Sequence, residues 1–343
     1  MKKYIIIFCS IFIVAVLLNA RKFPMTTIAL AGDVMLGRLV NEQIKQASYS
    51  YPWANSLLQE LKQKDFILIN LETTLTNASN PVPKVFNFKA DPEVVKTLKA
   101  ANITAVNLAN NHSLDFGVEG LQETIKTLDE AKISHVGAGM DIEKAQEPVI
   151  TEIENIKIGI IGYTDNEPEW KAKINKPGIN YINIDENNIE VFEAVSKLKQ
   201  KVDVCIITLH WGPNMQEYPS QEFINFAHKL IDSGADIIHG HSAHVVQGIE
   251  IYKNKIILYD TGDFVDDYMV DEKLRNDLSF LFNIEIENKK LKRLYLLPVK
   301  IENMQVNIAN RGDAQTIIDM IKKRSSPFET RFEQKDHILN ISI

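Results

Sequence analysis

TTIALAGD, residues 26–33, is a short apolar run that stops on Gly32 and Asp33. A run of this length that ends on turn residues reads as a buried strand. Six more of the same kind lie outward from it: FILINLE (66–72), ITAVNLAN (103–110), IKIGIIGYTD (156–165), VDVCIITLH (202–210), ADIIHGH (235–241) and KIILYDTGD (255–263). Amphipathic stretches near 52–64, 91–101, 117–131, 186–200 and 220–233 separate several of them. This alternation predicts an α/β fold with buried, largely parallel strands. Farther on, LSFLFNIEIENKKLKRLYLLPVKIENMQVNI (278–308) predicts antiparallel strands turning at 288–290 and near 302–303. Residues 312–336 read as a polar helix. With no repeat, low-complexity tract or long linker, one domain over about 25–343 is the simplest division.

The 343 residues are 45% hydrophobic and 24% charged, which excludes a mainly disordered or collagen-like chain. Four basic residues (Lys2, Lys3, Arg21, Lys22) and no acid lie in residues 1–23. The rest therefore carries 34 basic against 45 acidic residues, a net −11. So acidic a body is a poor partner for nucleic acid. Residues 4–18, YIIIFCSIFIVAVLL, follow Lys2 and Lys3 and form either a signal peptide, cleaved near Ala20, or an N-terminal membrane anchor. Both readings keep the lysines cytoplasmic and export the body. The expected location is the cell envelope, anchored by one pass or else secreted or periplasmic. Cys9 lies in that apolar run and Cys205 in another, so the body forms no disulfide of its own, and Cys205 reads as a core thiol.

Chemistry-bearing residues recur where the runs end. Asp33, Glu72, the Asn110-Asn111-His112 triplet, His210 and His241 each terminate one, and His244 follows three residues later. Ligands in open α/β sheets bind outside the carboxyl ends of the strands, so five strands deliver carboxylate, amide or imidazole groups to one rim. A lone residue of each kind has an ordinary structural role; the joint pattern points to a divalent-metal site of Mn, Fe or Zn type. His112 then stands where it can stabilise or protonate a leaving group. Asp115 either orients His112 or caps the following helix. Arg38 is a phosphate or carboxylate clamp, or a structural ion pair. His239, two residues before His241 on one strand, is an outer-shell donor. His135, His228 and His337 read as ordinary structural or surface residues, and Trp211 as a core residue.

AGDVMLGR (31–38), NLETTLT (70–76), NLANNHSLDFG (107–117), LHWGPNMQEYPS (209–220) and GHSAHVVQGIEIYKNKIILYDTGDF (240–264), in this order, resemble the CapA family of poly-γ-glutamate synthesis and capsule biosynthesis proteins. That family in turn looks like a branch of the calcineurin-like metallophosphoesterases. The resemblance covers about residues 26–270. It implies a four-layer α/β/β/α sandwich with two mixed central sheets and a two-metal site in residues 24–343. It also implies Asp33 as first metal ligand, Glu72 as metal-bridging carboxylate, Asn111 and His112 as ligand and catalytic imidazole, and His210, His241 and His244 as further ligands. Three positions depart from the pattern. Met35 stands where the superfamily has a histidine, the closing pair is spaced GHSAH, and Asp263 follows Gly262, either as an extra ligand or as a turn residue.

The function implied is a metal-dependent hydrolase in capsule, poly-γ-glutamate or other envelope polymer metabolism. Its substrate would be an anionic polymer or a phosphoester, and its partners the membrane proteins of capsule synthesis or export. The alternatives are a non-catalytic accessory protein for assembly or export of such a polymer, and a 5′-nucleotidase-like phosphatase, for which NNHSLDFG speaks.

Overall fold

The structure is a computed structural model that describes residues 25–343; the predicted signal or anchor segment lies outside the described residues. Among the described residues no helix is long and apolar enough to cross a membrane.

All seven apolar runs contain strands, and helices occupy all five amphipathic stretches. A first sheet of ten strands is centred on Thr26–Val34, flanked in parallel by Phe66–Leu71, Ala105–Asn107 and Ser134–Val136. On its other side Leu278–Glu287, Lys290–Glu302, Ile338–Ser342 and Glu333–Lys335 continue it antiparallel. The short strand Asp263–Val265 also pairs with Thr26–Val34, in parallel. A second sheet of six strands has a parallel centre, Ile156–Thr164, Val204–His210, Ile237–His241 and Lys255–Leu258. Antiparallel edges, Val149–Ile153 and Ile249–Tyr252, complete it. The fold is therefore α/β with two mixed principal sheets.

The side-chain period of two along each strand explains why the runs lack polar alternation. Ile28 and Leu30 point into a core shared with Ile158, Ile160, Val204, Ile206 and Ile237 of the second sheet. Ala29 and Ala31 point the other way, under Val40, Ile44, Leu57, Leu121 and Leu128 of three helices. In the second sheet Cys205, Ile207 and Leu209 face Val195, Leu198, Phe226 and Leu230 of two more helices. Each fully buried Ile or Leu contributes about 1.5–3 kcal/mol, so both faces of the sheets are stabilised by burial. Local signals agree with this packing. Asn188, Ser220 and Asn310 accept backbone N–H bonds at the starts of three helices. Asn288-Lys289 and Asn303-Met304 close two hairpins with φ positive at both turn positions, where those turns were expected.

The C-terminal reading needs correction. The helix covers Arg311–Ser325 and is not polar throughout, since Ile317, Ile318 and Ile321 enter the core between the sheets. Pro327 lies in the short 3-10 turn that follows, where a residue without an N–H cannot extend the helix. The remainder forms a hairpin, Glu333–Lys335 with Ile338–Ser342, whose Leu339 and Ile341 are buried. The helix Arg38–Gln46 and the strands Ser134–Val136, Val149–Ile153 and Ile249–Tyr252 also had no counterpart in the sequence reading.

Candidate metal centre

Two register rows place the site. In the first sheet Asn107 pairs with Asn70, Asn70 with Asp33, and Asp33 with Asp263. In the second sheet Thr164 pairs with His210 and His210 with His241. Apart from Asp263, which opens its short strand, both rows lie at the carboxyl ends of parallel strands. An asparagine ladder fixes the first: Asn107 Nδ2 donates to Asn70 Oδ1 (2.9 Å), and Asn70 Nδ2 donates to Asp33 Oδ1 (2.7 Å). Gly32 is required beside Asp33, because a Cβ there would stand 1.7 Å from the Gly262 carbonyl oxygen. That oxygen accepts the Asp33 N–H at 3.0 Å.

The rows meet in two buried ligand groups, Asp33 with His210 and His241, and Asp33 with His244 and Asp263. Asp33 belongs to both, whereas the resemblance gives the bridging place to Glu72. Asp33 Oδ1 is 3.7 Å from Nδ1 of both His210 and His241. Asp33 Oδ2 is 3.5 Å from His244 Nδ1, which lies 2.8 Å from Asp263 Oδ1. Asp263 is thus not simply a turn residue. Met35 is fully buried and its sulfur accepts the Gly37 N–H, so it adds nothing to the cluster.

Glu72 is fully buried and neither oxygen has a hydrogen-bond partner. It lies 3.7 Å from His112 Nε2 and 4.0 Å from His210 Nε2. His210 Nε2 also meets Asn111 Oδ1 at 2.9 Å. His112 Nδ1 lies 2.6 Å from Asp115 Oδ2. Asp115 accepts from the Phe88 N–H (2.6 Å) and from Lys84 Nζ (3.1 Å), so it is an acceptor towards the imidazole as well. Nδ1 therefore carries the proton and Nε2 the lone pair. The Phe88 ring stacks on the imidazole with centroids 3.7 Å apart. The helix after Asp115 has Phe116 at its N-cap with no side-chain cap, so Asp115 serves His112 and not the helix.

Arg38 pairs with Asp267 at 2.9 Å and lies over the rings of Phe86, Phe88 and Tyr268. It keeps a third of its side chain exposed and holds φ at +51°, a strained conformation for a residue with a Cβ. His239 bonds the Ala31 carbonyl (3.1 Å) and faces Thr208, which also holds His241 Nε2 at 2.9 Å. Trp211 turns into the outer core, its indole N–H on the Tyr259 carbonyl. His135 and His228 bond Asp129 and Glu250. The sequence reading missed Asn70, Lys84, Phe88, Asp260 and Tyr268. Asn70 alone carried a signal, as a polar residue at the end of an apolar run.

The electrostatics describe a site short of positive charge. Burial lifts Glu72 well above the usual carboxylate range, and the Asp33 charge adds to this. Burial likewise lifts Asp263 to about 6, against the pull of His244. For Asp33, burial is outweighed by the neighbouring His210 and His244, which hold it well below its usual value. Burial drives His210 and His241 down, and His112 and His239 to about 4. His244 goes the other way: burial opposes its charge, but Asp263 and Glu72 raise it well above the usual imidazole value. Buried carboxylates beside the neutral imidazoles of His112, His210 and His241 form a donor set that a bound cation would complete.

The family profile described as bacterial capsule synthesis protein PGA_cap matches residues 27–268, which span every one of these residues. The chain belongs to that family. Among capsule synthesis relatives, the probable polyglutamine synthesis accessory protein of Mycobacterium tuberculosis (strain H37Rv) is 33% identical over 328 residues, covering 90% of this chain and 86% of the relative. The capsule biosynthesis protein CapA of Bacillus anthracis is 32% identical over 246 residues, 70% of this chain and 60% of the relative. The PGA biosynthesis protein CapA of Bacillus subtilis (strain 168) is 31% identical over 245 residues, 69% and 62% respectively. The metal-centre residues described above, from Asp33 to Asp263, all fall within the capsule synthesis match.

Proposed function

We propose that this capsule synthesis family member is an exported, metal-dependent hydrolase of metallophosphatase type, acting on a capsule or poly-γ-glutamate-like envelope polymer. The observation that carries the reading is Glu72, a buried carboxylate with two unpartnered oxygens among Asp33, His112 and His210. Leaving such a group without a partner is costly, and a divalent cation supplies one. The residues fit two cations of Mn, Fe or Zn type. Asp33, His210 and His241 would hold one, and Asp33, His244 and Asp263 the other, with Glu72 and Asn111 as further donors. A four-layer α/β/β/α sandwich of metallophosphoesterase type is supported by the three stacked cores.

Bound cations there would supply Lewis acidity, neutralising the oxygens of an anionic ester and lowering the pKa of water. His112, neutral and held by Asp115, presents Nε2 to accept a proton at the cleft. Asp115 keeps the proton on His112 Nδ1, and Phe88 covers one face of the ring. Arg38, braced by Asp267 and aromatic rings, offers its free guanidinium edge to an anionic group of the substrate.

Membrane attachment through residues 1–23, and contact with capsule synthesis or export proteins, belong to the same proposal. The acidic body speaks against nucleic acid. The first test is elemental analysis of the purified protein beside an Asp33→Ala, Glu72→Ala double variant. About two equivalents of metal, lost in the variant, are expected. A screen of phosphoester, nucleotide and γ-glutamyl amide substrates follows. No metal on folded, reconstituted protein would sink the reading.

A second reading, an accessory protein without turnover, is favoured by the name of the mycobacterial relative and by buried Met35 at the place of a superfamily histidine. Under that reading Glu72→Ala and His210→Ala leave polymer production in cells unchanged. Under the first they abolish it.

A further inference from the structure

The two ligand groups are built differently. His210 and His241 stand on adjacent strands of the second sheet and are fixed by its ladder. His244 stands past the end of its strand at φ +60°, and Asp263 opens its own short strand just after Gly262 at φ +68°. Ser242, between the histidines, has φ +114°. Ser242 and His244, two non-glycine residues at positive φ in one short segment, cost free energy and persist only where neighbours over-determine them.

One side chain supplies that restraint. Asp260 is buried, and both its oxygens accept backbone N–H bonds from the two segments. Oδ2 accepts from Ala243 and Oδ1 from Gly262, each at 2.7 Å. Ala243 is the residue before His244 and Gly262 the residue before Asp263. The Asp260 carbonyl also accepts the Gln247 N–H at 3.0 Å, so the segment is gripped beyond His244 as well. The Gly262 carbonyl in turn accepts the Asp33 N–H. One carboxylate thus ties the backbones that carry His244 and Asp263, one hydrogen bond from Asp33.

We propose that Asp260 is the positioning residue that assembles the Asp33–His244–Asp263 half of the centre, while the His210–His241 half forms without it. The proposal rests on the metal-centre reading above and adds a residue that touches no ligand site itself. An Asn at 260 is isosteric but keeps only one acceptor, so one of the two segments loses its tie.

The test measures Mn²⁺ binding to the full-length protein by calorimetry and elemental analysis. Asp260→Asn, His244→Ala, His241→Ala and the doubles D260N/H244A and D260N/H241A are compared, each checked for folding by its metal-free melting curve. Two equivalents are expected in the wild type and one in D260N, with affinity for the lost equivalent down at least about tenfold. D260N/H244A should lose nothing beyond H244A, and D260N/H241A should lose both, because contacts within one group are non-additive and separate groups add. Two equivalents in D260N with wild-type affinity would overturn the proposal. So would loss of both in D260N, or a D260N that does not fold, since the residue would then serve the whole structure. A wild type holding fewer than two equivalents overturns the two-cation reading itself.

Discussion

The Nδ1 atoms of His210 and His241 lie 3.0 Å apart, and the two residues are register partners on adjacent parallel strands. Asn70 Nδ2 approaches the same His210 atom at 3.2 Å and has only hydrogens to offer it. His210 Nδ1 is therefore an acceptor, and its Nε2 carries the proton towards Asn111 Oδ1. A cation bound here would compete with protons for the centre's imidazoles and carboxylates, which makes affinity depend on pH.

The direction follows from His244 and Glu72, both raised well above their usual values. Near neutral pH the metal-free centre holds protons on these groups that ligation must displace. Mn²⁺ affinity should rise from pH 6 to 8, and calorimetry in buffers of different ionisation enthalpy should register proton release. A binding constant flat across that range would contradict the assignment of His244 as a ligand.

Glu72→Gln should separate stability from metal binding. The folded pKa of Glu72 lies above its unfolded value, so the folded state binds the extra proton and its penalty grows as pH rises. In chelator, the variant should match the wild type near pH 4 and exceed it by about 1–3 kcal/mol at pH 8 in urea melts. With Mn²⁺ present the order should reverse. At a hundredfold excess over Kd one bound ion is worth about 2.7 kcal/mol to the wild type, a midpoint shift of several degrees.

Asp115→Asn should lower turnover on any substrate found by at least about tenfold, with the number of bound ions unchanged. The loss arises because the carboxamide cannot hold the Nδ1–H tautomer of His112 as the carboxylate does. Lys84→Met, which removes a 3.1 Å partner of Asp115, should have a smaller effect of the same kind. Loss of metal in Asp115→Asn would mean the residue supports ligands and not the imidazole.

Gly32→Ala should destabilise the fold by more than about 3 kcal/mol. The new Cβ would meet the Gly262 carbonyl at 1.7 Å, and the opposing atom is backbone. Gly117→Ala, where φ is +63° but space is open, should cost about 1 kcal/mol. Thermal melts of the two variants give the comparison, and equal losses would show that the Thr26–Val34 strand end yields more than its packing implies.

The α/β class and the rim of polar strand ends were legible in the chain because burial on both faces leaves continuous apolar runs, and their polar last residues stand out against them. Asp33, Glu72, His112, His210, His241 and His244 were all visible for that reason. The same logic failed at the C-terminus, where a helix that is mostly polar buries Ile317, Ile318 and Ile321 between the sheets and a hairpin follows it.

Tertiary structure alone decided how these residues combine. Asp33 rather than Glu72 lies in both ligand groups because parallel pairing sets it beside Asp263, while the packing of two sheets brings His210 and His241 over it. Lys84 reaches Asp115 from 31 residues away and Asp260 reaches Ala243 from 17. Neither contact leaves a periodic trace, because a loop side chain and a backbone N–H impose no pattern on the residues around them. Local sequence determines which residues end strands; the register of the strands and the closure of the loops determine which of those ends share a site.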